Sequence, residues 1–128
     1  MARANTPEDV DRMLGEAITA GDMDAALSLY EPGATFAMPA GFGEGSVTGT
    51  DALREALGGF LAMSPELRIS PEKTLLSGDT AMVTGSWTLR GRGADGNDVD
   101  ASGRYADVIR RQPDGSWLFV IDNPNGSD

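Results

Sequence analysis

The sequence contains no cysteine and no histidine. Without cysteine there is no disulfide framework, no thiol nucleophile and no thiolate metal site. Without histidine, Ser-His-Asp and Cys-His catalysis and every His-based metal motif are excluded. Any proton transfer therefore falls to Asp, Glu, Tyr, Lys or a water. Positive charge is scarce too: ten Lys and Arg stand against twenty Asp and Glu, for a formal net charge of -10. A field of that sign disfavours nucleic acid and anionic membrane. No Arg/Lys patch with interleaved aromatics argues otherwise. There is no 18-residue apolar run, and the N-terminal MARANTPEDVDR has no signal-peptide core. The expectation is a cytoplasmic protein with no nucleic-acid or membrane partner.

What is present reads as one domain over residues 1–128, with residues 1–5 frayed. Thr6-Pro7-Glu8-Asp9 is a helix start: Thr6 caps, Pro7 takes the first helical position, and Asp9 suits the positive helix end. Val10, Met13, Leu14, Ala17 and Ile18 follow at helical spacing, up to Gly21. Asp22 caps a second, short helix with Met23, Ala26, Leu27 and Tyr30 as its apolar stripe, stopped by Pro32-Gly33. Residues 34–38 read as a short strand and 39–45, PAGFGEG, as loop. A third helix starts at Thr50 or Asp51 and ends before Pro65, with Leu53, Leu57, Phe60 and Leu61 on one side. The period then changes to two. Residues 66–76, 80–91, 98–111 and 116–122 read as four strands, joined by short turn-rich links that make neighbours antiparallel. Helices first and strands second indicate an α+β fold, helices packed on one face of an antiparallel sheet.

Three stretches resemble the SnoaL-like and ketosteroid-isomerase-like branch of the nuclear transport factor 2-like superfamily. They are GDMDAALSLYEPGATFAMPAG (21–41), VTGTDALREALGGFL (47–61) and SGRYADVIRRQPDGSWLFVIDNP (102–124). The resemblance implies a cone-shaped α+β barrel, its strongly curved, mostly antiparallel sheet wrapped around the helices. It further implies an apolar cavity open at one end, and homodimers through the outer sheet face. Members include isomerases, dehydratases, polyketide cyclases and epoxide hydrolases, and also domains without known catalysis. A shared fold does not choose among them.

Asp122 interrupts the last strand, SWLFVID. Strict alternation puts it on one face with Leu118 and Val120, opposite Trp117, Phe119 and Ile121. SnoaL-like cyclases have an aspartate near this place as the base, and burial in a cavity would raise its pKa. The alternative is an ordinary turn-capping aspartate before Pro124. Asp107 shares a face with Tyr105 and Ile109. It is either a pocket carboxylate or half of a cross-strand ion pair with Arg90 or Arg104. Tyr30 is either an oxyanion donor or a core tyrosine. In ketosteroid isomerases the base is an aspartate on the first strand. The resemblance puts the matching place here at Met38 or close to it, and Met38 is no base.

Phe36, Met38, Phe42 and Phe60 read instead as cavity lining, with Trp87, Leu118 and Val120, and PAGFGEG as a rim. DGNDVDA (95–101) lacks the ligand spacing of a calcium loop, and GFGEG has no dinucleotide-binding context. No metal and no cofactor are expected. Two functions remain. One is a cofactor-independent isomerase, dehydratase or other lyase, or cyclase, with Asp122, Asp107 and Tyr30 at work on an apolar carbonyl compound. The other is a non-catalytic binding or dimerisation domain for a small apolar or aromatic molecule.

Overall fold

Thr6 caps the first helix from an extended backbone, its side chain accepting the Asp9 amide at 3.3 Å. Helix α1 (Pro7–Ala20) ends at Gly21, whose φ of 72° is the left-handed conformation that glycine adopts without strain. Asp22 then caps α2 (Met23–Leu27) by accepting the Ala25 amide at 3.0 Å. Helix α2 stops three residues before Tyr30. The expected place of Tyr30 on its stripe is therefore corrected: Tyr30 opens strand β1 (Tyr30–Ala37). Pro32 accounts for this, since it lacks an amide donor and steers Glu31 away from helical angles.

The remaining elements are β2 (Ser46–Thr48), α3 (Thr50–Leu61), β3 (Glu66–Ser77), β4 (Thr80–Arg92), β5 (Asp98–Arg111) and β6 (Trp117–Asp122). The computed structural model describes residues 3–126. Residues 1 and 2 of the segment expected to fray lie outside it. Ala4 is buried, and its carbonyl accepts the Trp117 amide at 3.0 Å. Among the described residues no helix is long and apolar enough to cross a membrane.

The six strands form one sheet in the order β2-β1-β6-β5-β4-β3. Four neighbouring pairs are antiparallel, but β1 and β6 run parallel. The cone-shaped barrel expected from the resemblance is therefore corrected. The sheet is mixed and open, with β2 and β3 as free edges, and it is not strongly curved. The short turns did predict their own strand pairs. β1 and β6 are distant in the chain, so no turn sets their relative direction.

Helix α1 lies chiefly on β3 and reaches β4, β5 and β6, while α3 lies against β1 and β2. Two glycines let large side chains cross the inner face. Gly85 on β4 pairs with Tyr105 on β5, and Trp87 on β4 pairs with Gly103 on β5. A Cβ at Gly85 would stand 2.8 Å from the Tyr105 hydroxyl and 2.2 Å from the Ser70 carbonyl oxygen. A Cβ at Gly103 would stand 3.0 Å from Trp87 Nε1. Each glycine is thus the seat of an aromatic ring. The outer face carries an apolar row across four strands, Leu75, Met82, Val108 and Ile121, each opposite the next. Leu75, Met82 and Ile121 in that row are exposed.

The close approach at Gly85 generates the first prediction. Gly85→Ala forces backbone or Tyr105 to move and should cost about 1–3 kcal/mol, the usual range for overpacking. Gly33→Ala, where a Cβ meets nothing within 4 Å, should be nearly neutral. Urea unfolding of both variants checks this, and equal stabilities would contradict the reading.

Candidate functional site

Between α1, α3 and the inner sheet face lies a cavity of about 70 Å³. Phe36, Phe42, Phe60 and Trp87 contribute aromatic wall, and Leu14, Ile18 and Leu57 add aliphatic wall from the helices. The Phe42 ring lies 5.3 Å from that of Phe60, and Phe36 meets Phe60 edge-on at 6.1 Å. Trp87 is held by its indole N–H, which donates to the Pro124 carbonyl at 2.7 Å. Asn125 ties the PAGFGEG rim to the chain's last turn: its Oδ1 accepts the Ala40 amide and its Nδ2 donates to the Met38 carbonyl.

The polar lining consists of Asp11, Asp107, Asp122, Tyr30 and Tyr105, with no Arg or Lys among the residues of the wall. All five are buried. Asp122 reaches this face through a β-bulge. Ile109 pairs with Phe119, but Val108 pairs with Ile121, so one extra residue, Val120, sits in β6. Alternation then restarts one residue late. Ile121 turns outward, and Asp122 turns inward with Trp117 and Phe119. The shared face expected for Asp122, Leu118 and Val120 does not occur. Leu118 and Val120 are half-buried and absent from the cavity wall, and Met38 packs against the turn at Gly43.

Continuing the shifted register sets Asp122 across from Asp107, as the Ala106 amide donating to the Asn123 carbonyl also requires. Asp107 accepts the Asn123 amide at 2.8 Å, and Asp122 accepts the Tyr30 hydroxyl at 2.5 Å. Neither Arg90 nor Arg104 approaches Asp107. They pair instead with Asp100 and Glu72 at the surface. Asp11 is the residue the sequence reading missed. It stands on α1 three residues before Leu14 and seven before Ile18, on the buried stripe. An acidic residue in phase with that stripe was the available signal.

Burial is the largest influence on each carboxyl, and it favours the neutral form. It pushes Asp11 up to about 7, with contact to Asp107 opposing and the charge of Asp122 adding. Asp107 is raised by burial and then by Asp11. Asp122 is raised by burial and then by the charge of Asp107, with the Tyr30 hydrogen bond opposing. The hydroxyls of Tyr30 and Tyr105 are likewise held protonated, first by burial, then by Asp122 and Asp11 respectively. Like charges packed into one desolvated space oppose full ionisation, so the cluster favours keeping protons. Both Asp11 oxygens are buried without a hydrogen-bond partner, which makes the ionised form costly. No group of three or more acidic side chains among the described residues is placed to hold a metal ion.

The sequence profile of the SnoaL-like domain matches residues 10–120. The chain belongs to the SnoaL-like domain family. That family lies in the nuclear transport factor 2-like superfamily with the ketosteroid-isomerase-like domains. No curated protein matches this SnoaL-like chain. Among solved structures, a provisionally named aromatic ring hydroxylase from Novosphingobium aromaticivorans is 25% identical, with a TM-score of 0.77 over 94% of this chain and 86% of its own. A ketosteroid isomerase-like protein from Erwinia carotovora atroseptica is 18% identical, with a TM-score of 0.78 over 90% of this chain and 88% of its own. An NTF2-like protein with a cystatin-like fold, also from Novosphingobium aromaticivorans, is 19% identical. Its TM-score is 0.75 over 94% of this chain and 79% of its own.

The raised carboxyls generate a pH prediction. The unfolded chain releases the Asp11 proton near the ordinary 3.8, and the native state releases it near 7. Between these values the native state binds more protons, so Asp11's contribution to stability is full below about 4 and is lost as pH rises through 7. Asp107 and Asp122 act in the same direction. Glu8, Glu31 and Asp114, whose pKa values are lowered, act oppositely, but only at the acid end. Asp11→Asn removes one share of the fall. Urea unfolding between pH 5 and 7 should show the variant losing stability less steeply, by up to about 1 kcal/mol per pH unit. Equal slopes would count against a protonated Asp11.

Proposed function

We propose that this SnoaL-like domain is a cofactor-independent enzyme that moves a proton on a small apolar carbonyl compound. The observation that carries this is a cluster of three buried aspartates, with no Arg or Lys beside them, at the wall of a largely apolar, aromatic cavity. A carboxylate with a pKa near neutrality is both populated and basic enough to take an α-proton. The electron pair of the broken C–H bond passes to the carbonyl oxygen, giving an enolate that a buried donor stabilises. Return of the proton to another carbon completes an isomerisation, and loss of a β-hydroxyl as water completes a dehydration. Asp107, Asp122 and Tyr30 act as one unit, the Tyr30 hydroxyl fixing Asp122 and the two carboxyls sharing protons. The lack of any cationic side chain in the wall points to a neutral substrate.

A second reading, a non-catalytic binder of a small apolar molecule, is favoured by one feature: the resemblance puts Met38, which is no base, at or beside the place where ketosteroid isomerases keep theirs. The outer-face row Leu75, Met82, Val108 and Ile121, exposed at all but Val108, fits a homodimer through the outer sheet face. Light scattering should then show dimers that Met82→Asp converts to monomers. A wild-type monomer would refute that interface.

Proton transfer is tested without knowing the natural substrate. In heavy water, NMR should show the protein exchanging the α-protons of 2-indanone faster than buffer. Replacing Asp107 and Asp122 together with Asn should slow this at least about tenfold, the low side of acid-base contributions. Exchange at the buffer rate, or unchanged in the double variant, would favour the binder.

A further inference from the structure

Among the buried side chains described, two residues keep polar atoms without a hydrogen-bond partner: Asp11, at both carboxyl oxygens, and Tyr105, at its hydroxyl. Both are almost fully buried, and both stand in the wall of the same cavity. Asp122 already accepts from Tyr30, and Asp107 from the Asn123 amide. The unmet demand is therefore at Asp11, and it is for donors. A wall with three carboxyls and no Arg or Lys among its residues also lacks positive charge. Protons can supply that charge, and so can a cation from outside.

The rest of the wall decides which cation. A metal ion is not provided for: no group of three or more acidic side chains among the described residues is placed to hold one. Six of the chain's eight aromatic side chains line this cavity. Ring faces attract an ammonium through their quadrupole, most strongly where water is excluded. An ammonium head also brings three N–H donors, enough for the two Asp11 oxygens and the Tyr105 oxygen. The net charge of -10 draws cations toward the surface. An anion finds no charged partner in this wall, and a neutral alcohol brings one donor and no charge.

We infer that the cavity is a binding site for a compact organic ammonium ion, a primary amine in its protonated form, with its head on Asp11 and Tyr105 and its hydrocarbon part against the aromatic wall. This goes beyond the proton-transfer reading and stands whether or not that reading holds. The amine is a ligand and not a substrate, and it excludes a neutral ketone from the same space. Binding is an exchange of charge: a cluster that holds a proton gives it up as the ammonium arrives. The groups that titrate at the wall are Asp11 on α1, Tyr30 on β1, Tyr105 and Asp107 on β5, and Asp122 on β6. Helix α3 and strands β3 and β4 bring only apolar side chains and Trp87 to it. Beside Asp11 on its own helix, Arg12 and Glu8 act with opposite signs. The two tyrosines stay protonated throughout, so the exchange belongs to the carboxyls. Above about pH 7 Asp11 is ionised and ready for the cation. Below that, each amine must displace a proton, and its affinity falls by up to about tenfold per pH unit.

Cyclopentylamine and cyclopentanol carry an ammonium and a hydroxyl on the same ring. Each is titrated into the full chain at pH 8 and pH 6, with the Trp87 indole N–H signal followed by NMR. At pH 8 the amine should bind at least about tenfold more tightly than the alcohol. At pH 6 that advantage should shrink. Calorimetry there, in two buffers of different ionisation enthalpy, should record proton release with the amine and none with the alcohol. Asp11→Asn should lose at least about fivefold in amine affinity at pH 8 and leave the alcohol unchanged. Asp98→Asn, which removes an exposed charge outside the wall, should change neither. An amine that leaves the Trp87 signal unmoved at about 10 mM overturns the inference. So does an alcohol that binds as well, or amine binding that ignores pH and releases no proton. Equal losses in the two variants also overturn it, since the protein's overall charge would then be the attraction. Should Asp11→Asn fold poorly, the wild-type comparisons still decide. Exchange of 2-indanone separates this inference from the catalytic reading. Amine binding with no exchange in wild type would leave the ammonium site and remove the catalysis. Exchange that saturating amine does not slow would leave the catalysis and remove the ammonium site.

Discussion

Asp11, Asp107 and Asp122 occupy one desolvated space, and like charges there repel with little water to screen them. The cluster is tolerable only if protons remain in it. Everything else about the site follows from that constraint. The Tyr30 hydroxyl and the Asn123 amide each stabilise one carboxyl. Among the described residues no Arg or Lys side chain enters the wall to neutralise the group by pairing. The chain's cations are spent at the surface, where Arg104 meets Glu72 and Arg110 meets Glu31. A cationic partner inside would have pulled the carboxyls down and fixed them as ions. Its absence leaves all three raised above the usual carboxylate range, Asp11 to about 7, where a carboxyl is useful both as acid and as base.

Holding the three groups together takes local departures from regular structure. The bulge at Val120 turns Asp122 inward across from Asp107. The Gly85–Tyr105 and Gly103–Trp87 pairs let two large rings lie across neighbouring strands without opening the sheet. Pro32 ends the helical region early, so that Tyr30 enters from a strand and stacks 4.8 Å from Phe119. The bulge and the glycine seats each cost regular pairing or packing. The side chains they position, Asp122, Tyr105 and Trp87, line the cavity, which is where a fold carries such costs for function.

Much of the architecture was legible from local rules. The caps at Thr6 and Asp22, the stop at Gly21 and the turn-linked strands β3 to β6 follow from side-chain chemistry and periodicity. The open, mixed sheet was not legible, because the parallel β1–β6 pairing joins distant segments that no turn relates. The candidate site was partly legible. The lack of His and Cys drew attention to Asp107, Asp122 and Tyr30, and Phe36, Phe42, Phe60 and Trp87 do meet in the wall. The face of Asp122 was misread, since a bulge reverses every inference from alternation beyond it. Asp11 passed unnoticed because an acidic residue in a helix is ordinarily solvated. Only its phase with Leu14 and Ile18 marked it.

The central claim is that the carboxyl cluster holds protons at neutral pH. Carboxyl ¹³C shifts of Asp11, Asp107 and Asp122, followed by NMR from pH 3 to 9, test it most directly. The account predicts midpoints for all three well above the ordinary aspartate value, coupled to one another, with Asp11 near 7 and protons still bound at pH 7. Three independent midpoints near 4, with every carboxyl ionised at pH 7, would contradict it.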